Sequence, residues 1–261
     1  MTIVAHELRQ GKTVFAVWTA AIAFLLAVCV FIFPEMGGNV DTAGDMFASM
    51  GNFTAAFGMD RLDIGTLIGF YAVECGTILG LGGAFFASLT GVSALAKEEK
   101  GRTAEFLLTH PVSRARIVSE KLGAALIQIT VMNAAIFGLA LLSIKGIGEE
   151  IPWKGVLLLH GACYLLQLEM AGICFGISAF LRRGGVGAGI GIASAMYVLN
   201  LIANMTEGAR FLKYITPFGY CEGADIIAHG KMNAGAAAAG MLFACLGVAA
   251  AYWRYLGKDI R

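Results

Sequence analysis

Long apolar stretches alternate with short polar segments along the whole chain, and six of them, residues 14–33, 64–96, 122–144, 155–181, 184–205 and 234–253, reach about twenty residues or more. A hydrocarbon core about 30 Å thick takes roughly 20 apolar helical residues to cross, so each stretch predicts one membrane-spanning helix. The second exceeds one upright crossing and must tilt, break at a glycine or project beyond the bilayer. Composition agrees with the pattern: 58% of the 261 residues are apolar, 14% are charged and the mean hydropathy is +0.74, outside the range of water-soluble domains. The predicted fold class is an all-α integral membrane protein, a single transmembrane domain over 1–261 with nothing left for a soluble domain. The first stretch is too long for the core of a cleaved signal peptide, and Pro34, Glu35 and Met36 do not form a small-residue cleavage site.

Orientation follows from lysine and arginine, which accumulate in cytoplasmic loops near span ends. With the N-terminus inside, Arg9, Lys12, Lys97, Lys100, Arg102, Arg114, Arg116, Lys121, Arg182, Arg183, Arg254, Lys258 and Arg261 fall on the cytoplasmic side, 13 of the 19 basic residues. Both termini are therefore expected in the cytoplasm and the protein in the inner membrane, whereas the net charge of +1 says nothing about partners.

Three polar-flanked segments predict structure of their own. Residues 1–13 read as an interfacial helix, with Ile3, Val4 and Leu8 on one face and Glu7, Arg9 and Lys12 toward water. Met46, Met50, Phe53 and Phe57 recur at helical spacing in the first outer loop, the pattern of an amphipathic surface helix. Within the outer segment 206–233, LKYITPFGYCEGADII is too apolar for a free loop and too broken by Pro217, Gly219 and Gly223 to span, so it is expected to dip into the outer leaflet, where irregular backbone needs protein or water around it.

Catalytic chemistry finds no constellation. Five of six cysteines fall inside spans and only Cys221 lies in an outer loop, with no C-x-x-C pair, so neither disulfide nor metal site is expected. His6, His110, His160 and His229 are too scattered to share a metal. The stretch HELRQGKT ends like a phosphate-binding loop but has His6 where the first glycine must stand; any ATP must be bound by another chain. Glu74 and Glu169 lie inside spans, where an acid costs on the order of 3 kcal/mol. They read either as the lining of a substrate pathway or as protonated acids bonded to a neighbouring helix. Gly185 with Gly189, and Gly187 with Gly191, form two overlapping G-x-x-x-G pairs in the fifth stretch, a signal of close helix packing or of a dimer surface.

The most polar run, 97–114, joins the second and third stretches. Gly101 can end one helix, Pro111 stops a second one begun at Thr103, and Ser113 can cap the next. Between them Ala104, Leu107 and Leu108 share one face of a short helix with Glu105 pointing elsewhere, a shape that suits a groove on a soluble partner or a lipid surface.

These residues resemble the permease subunits of ABC-2 type transporters, in particular the bacterial branch with six spans and a separate ATP-binding subunit. HELRQGKTVFAVW is similar to that branch's opening, AAFGMD followed by GFY to its outer loop and second-span entry, and LKYITPFGY to the segment before its last span. KEEKGRTAEFLLTHPVSRARIVSEK is the most specific piece, with an acidic pair, a glycine, T-x-E, two leucines, P-V-S-R and a lysine in order. The resemblance implies an ABC-2 (type V exporter-like) fold and a permease that is not itself an enzyme. It implies two permease subunits, as a homodimer or heterodimer, forming an export pathway with the first and fifth spans in contact across subunits. It implies two copies of an ABC ATP-binding subunit holding ATP and magnesium, and a coupling region at 97–121. Glu98, Glu99, Gly101, Thr103, Glu105, Leu107, Leu108, Pro111, Ser113 and Arg114 would then meet the ATPase. The chain needs no cofactor and no nucleic acid; lipid is its solvent. A secondary transporter would show inverted repeats, which the sequence lacks, and a membrane sensor or scaffold would move nothing.

The topology is testable with single cysteines at positions 41, 116 and 183 in a cysteine-free background. In intact cells an impermeant thiol reagent is expected to label position 41 alone; labelling at 183 overturns the orientation.

Overall fold

The computed structural model describes residues 3–36, 54, 56–100, 113–181 and 185–257. Helix dominates these described residues, and six helices are long and apolar enough to cross a membrane. The chain runs through α1 (Ile3–Met36), α2 (Leu67–Glu74), a π-helical segment (Cys75–Leu81), α3 (Gly82–Lys100), α4 (Arg114–Gly146), α5 (Trp153–Ser178), α6 (Val186–Met205), α7 (Gly223–His229) and α8 (Ala234–Leu256). Short 3-10 turns cover Met59–Arg61, Glu207–Tyr214 and Pro217–Tyr220.

Local chemistry sets several starts. The Thr66 hydroxyl accepts from the amide of Gly69 at 3.2 Å to begin α2, Ser113 Oγ accepts from Arg116 at 3.3 Å to begin α4, and Asn233 Oδ1 accepts from Gly235 and Ala236 to begin α8. Each cap satisfies amides that a helix start leaves unpaired. The Ser113 cap stands where the sequence places it.

Two expectations sharpen and one changes. The helix expected over residues 1–13 runs, from Ile3 onward, without a break into the first span as one 34-residue helix, about 51 Å at 1.5 Å per residue, so its first turns outrun a ~30 Å hydrocarbon core. Glu7 does not face water but is buried, because two lysines of other helices converge on it. Of the three ways open to the overlong second stretch, tilting, breaking at a glycine or projecting, the break is excluded: α2, the π segment and α3 form one continuous rod whose middle is widened to π geometry.

Helix α5 lies at the centre, packed on α3, α8 and α4, while α1 packs on α4 and α6 on α3. The second and fourth spans each have 61% of their most apolar stretch buried, against 22–33% in the other four, which makes them the inner pair. Their contact is backbone on backbone. A methyl at Gly91 of α3 would lie 2.6 Å from the carbonyl oxygen of Ala171 on α5, and one at Gly176 of α5 would lie 2.5 Å from that of Gly247 on α8. Small residues substitute for the hydrophobic driving force that lipid removes. The buried polar groups are linked in a chain: Asn133 of α4 donates to Gln167 Oε1 of α5 at 2.7 Å, and Gln167 Nε2 donates to the Leu79 carbonyl of the π segment at 3.3 Å.

Gly176→Ala is expected to cost about 1–3 kcal/mol, the usual penalty of overpacking, and to lower the thermal unfolding midpoint in detergent. Gly187→Ala, where a Cβ meets nothing within 4 Å, should leave it unchanged.

Candidate functional site

The starts of α1, α4 and α6 and the ends of α3, α5 and α8 share one side of the bundle. There the Glu7 carboxylate of α1 sits between lysines from two other helices. Its Oε1 accepts from Lys121 Nζ of α4 at 2.7 Å and its Oε2 pairs with Lys97 of α3, which also donates to Gln10 Oε1 at 2.8 Å. The Lys121 side chain is 1% exposed. A long cation at that depth requires a carboxylate, because an unpaired buried charge is far costlier than the pair. That requirement turns Glu7 inward.

Further bonds close the same end. Val4 donates its amide to Glu120 Oε2 at 3.3 Å, and Arg116 Nε donates to Glu120 Oε1 at 2.8 Å. Arg114 Nη1 donates to the Leu256 carbonyl at 3.2 Å, and the Ser119 and Tyr252 hydroxyls lie 2.6 Å apart. A cavity of about 330 Å³, with Thr90, Ser93 and Gln128 among its walls, opens beside the two lysines and Glu7.

Lys97 and Lys121 are therefore the two ends of the 97–121 region, both bonded to one carboxylate. Of the residues expected to meet a partner, Ser113 and Arg114 stand at the start of α4, as its cap and its first helical residue. Glu98 and Glu99 belong to the last turn of α3, with side chains outside the described residues. Gly101, Thr103, Glu105, Leu107, Leu108 and Pro111 lie outside the described residues, as do Met46, Met50 and Phe53 of the outer loop.

The two span acids are not brought together. Glu74 ends α2, partly exposed, and accepts from Cys29 Sγ of α1 at 3.4 Å. Glu169 of α5 is fully buried, its carboxyl filling the space above Gly240 of α8 and facing the Tyr220 hydroxyl of the outer segment. Neither lines the cavity beside Glu7.

The glycines of the fifth stretch divide. Gly185 and Gly189 face α3, where a methyl at Gly189 would lie 2.9 Å from Val92 Cγ1 and 3.2 Å from the Ser88 carbonyl oxygen. Gly187 and Gly191 are exposed, and a methyl at either would have no neighbour within 4 Å. A substitution at Gly189 thus disturbs the chain's own packing before any contact between subunits, and only Gly187 and Gly191 belong to a free small-residue face.

At the opposite end the outer segment is covered by protein: Pro217, Phe218, Gly219 and Tyr220 are buried, and Thr216 Oγ1 donates to the Met196 carbonyl of α6 at 2.8 Å. Cys221 is buried against Cys163 of α5, Sγ to Sγ 3.4 Å, rather than in an open loop. Asp225 of α7 accepts from Arg61 at 2.5 Å and Lys213 at 2.9 Å. Burial pushes its carboxyl up, but the bonds and charge of Lys213 and Arg61 outweigh that and hold it below the ordinary range. Glu222 accepts from Asn204 at 2.6 Å and from Asn200 at 3.4 Å, while Asn204 also donates to the Ala56 carbonyl at 3.0 Å. Burial raises the Glu222 pKa. Its Oε1 lies against Gly58, whose φ of 68° and lack of a side chain admit it.

Sequence reasoning overlooked Glu7 as a partner of Lys97 and Lys121, and the Glu222, Asn200 and Asn204 group. The second had a visible signal, since Asn200 and Asn204 share one face of an otherwise apolar helix at i, i+4.

Glu7→Gln is expected to lower stability by about 1.5–3 kcal/mol, the range for a lost hydrogen bond to a charged group, because it removes the carboxylate that Lys97 and Lys121 share, read as a drop in thermal midpoint in detergent. Glu7→Gln with Lys121→Met should recover part of that loss; a single variant as stable as wild type would show that the carboxylate is dispensable.

No curated protein matches the chain. A family model described as an ABC-2 family transporter protein matches residues 1–260, nearly the full length, and it agrees with the six apolar helices. The chain belongs to the ABC-2 family of transporter proteins and is a multi-pass permease component of an ABC transporter.

Proposed function

We propose that this permease is driven through the region 97–121 by two ATP-binding subunits and works as an exporter in the inner membrane, paired with a second permease subunit. The observation that supports this most is the position of Glu7. One carboxylate holds the helix that enters the region and the helix that leaves it, and fastens both to α1. A displacement applied between Lys97 and Lys121 is then delivered to three spans together rather than absorbed by a loose loop. ATP and magnesium belong to the partner, and the permease contributes no catalytic group. Its task is to make different contacts in two arrangements, so that ATP binding favours one and hydrolysis restores the other.

Leu107 and Leu108 supply the apolar anchors on the partner's groove, with Glu98, Glu99, Glu105 and Arg114 fixing register around them, since apolar anchors carry most of the energy of such contacts and rim charges steer orientation. The exposed Gly187 and Gly191 face supports close approach of a second permease.

Leu108→Asp is expected to give a correctly inserted permease that loses its ATP-binding subunit in pull-down, or retains it without substrate-stimulated ATP turnover. Unchanged pull-down and turnover would remove 97–121 as the coupling element.

A further inference from the structure

A second cavity, of about 40 Å³, lies at the opposite end from Glu7, where the π segment, α6 and the outer segment meet. One water takes up roughly 10–15 Å³ on this measure, so the space holds a small polar guest. Its walls combine two chemistries. Glu222 brings a carboxylate that is 8% exposed, and Asn200, 5% exposed, stands beside it. Asn200 turns its amide nitrogen to Glu222, which leaves Oδ1 as a buried acceptor with no hydrogen-bond partner among the described residues. Opposite them are aromatic rings: Tyr197 and Phe218 both line the cavity, their centroids 5.3 Å apart in an edge-to-face pair.

Arg61 and Lys213 both bond to Asp225; their charges also act on Glu222 from farther off, but among the described residues no cationic side chain makes an ion pair with it. A buried carboxylate, an acceptor without a donor, and aromatic faces are together the recognition elements for an ammonium group, whose charge seeks the carboxylate and whose carbon seeks the rings. They suit a metal ion poorly. Among the described residues no three His, Cys, Asp or Glu side chains are placed to hold one, and hard cations of the calcium kind take six or more oxygens.

We propose that this cavity binds a small organic ammonium ion, with the charge on Glu222, an N–H donated to Asn200 Oδ1 and the alkyl carbon against Tyr197 and Phe218. The guest is a free amine or the amine end of a larger molecule. The site does not rest on the coupling mechanism, since binding is read on the permease without ATP.

Methylammonium chloride titrated calorimetrically into the purified full-length permease in detergent tests this, with sodium and potassium chloride at equal ionic strength as comparisons. Saturable methylammonium binding is expected, weakened about thirtyfold in Glu222→Gln, the scale of loss when one partner of a buried charge pair is removed. Gly76→Leu should abolish it: Gly76 lines the cavity and a Cβ there meets nothing within 4 Å, so the new side chain fills the space while Glu222 stays in place. That variant carries the test if Glu222→Gln does not fold. The proposal is overturned if methylammonium shows no saturable binding, if sodium or potassium binds equally well, or if folded Gly76→Leu binds like wild type.

Discussion

A carboxylate shared by two lysines fixes how three helices meet. Apolar helix contacts tolerate small rotations and slips, because one methyl replaces another at little cost, but an ion pair buried to the depth of Lys121 has one acceptable geometry. Glu7 therefore sets the register of α1 against α3 and α4 at the end where 97–121 enters and leaves the bundle. The same pairing explains why α1 is a single 34-residue helix. A bend between its polar start and its apolar body would pull Glu7 away from both lysines and break the contact that joins the three helices.

The centre of the bundle is held by a different means. Gly91 meets the Ala171 backbone, and Gly172 and Gly176 meet α8 at Ala244 and Gly247. Contacts this close leave no side chain to rearrange, so α3, α5 and α8 behave as one block. Their polar atoms are tied in as well: the π segment displaces backbone bonding from the usual ladder, and Gln167 reaches the Leu79 carbonyl there while accepting from Asn133 of α4. Helix α1 reaches that block mainly through apolar surface along its length and through charge at its start.

Six spans and their approximate limits were legible because length and hydropathy alone decide them. The Ser113 cap was legible because its hydroxyl acts within three residues. The features that escaped depend on pairs distant in sequence. Glu7 and Lys121 are 114 positions apart, and read locally Glu7 is one more polar residue on the wet face of an amphipathic turn. The Gly185–Gly191 run announces close packing, yet only the fold shows that Gly189 faces Val92 while Gly187 and Gly191 remain uncovered. Glu222 was passed over for a related reason: in a segment between spans an acid reads as solvated, and only the folding-back of Pro217–Tyr220 buries it.

The two ends are joined by one element. The rod from Leu67 to Lys100 carries Lys97 at the Glu7 end, and Ala72, Gly76 and Thr77 in the wall of the Glu222 cavity at the other. Gly76 and Thr77 belong to the π segment, so the stretch that departs from i→i+4 bonding is itself part of the cavity wall. Turns of this kind inside an α-helix recur at functional sites. Lys97 and the wall of the Glu222 cavity are thus joined by one unbroken helical element. The far end in turn is anchored by Asp225 bonding Arg61 ahead of the rod and Lys213 beyond α6. That anchor ties the outer segment to the chain on both sides, ahead of the rod and beyond α6.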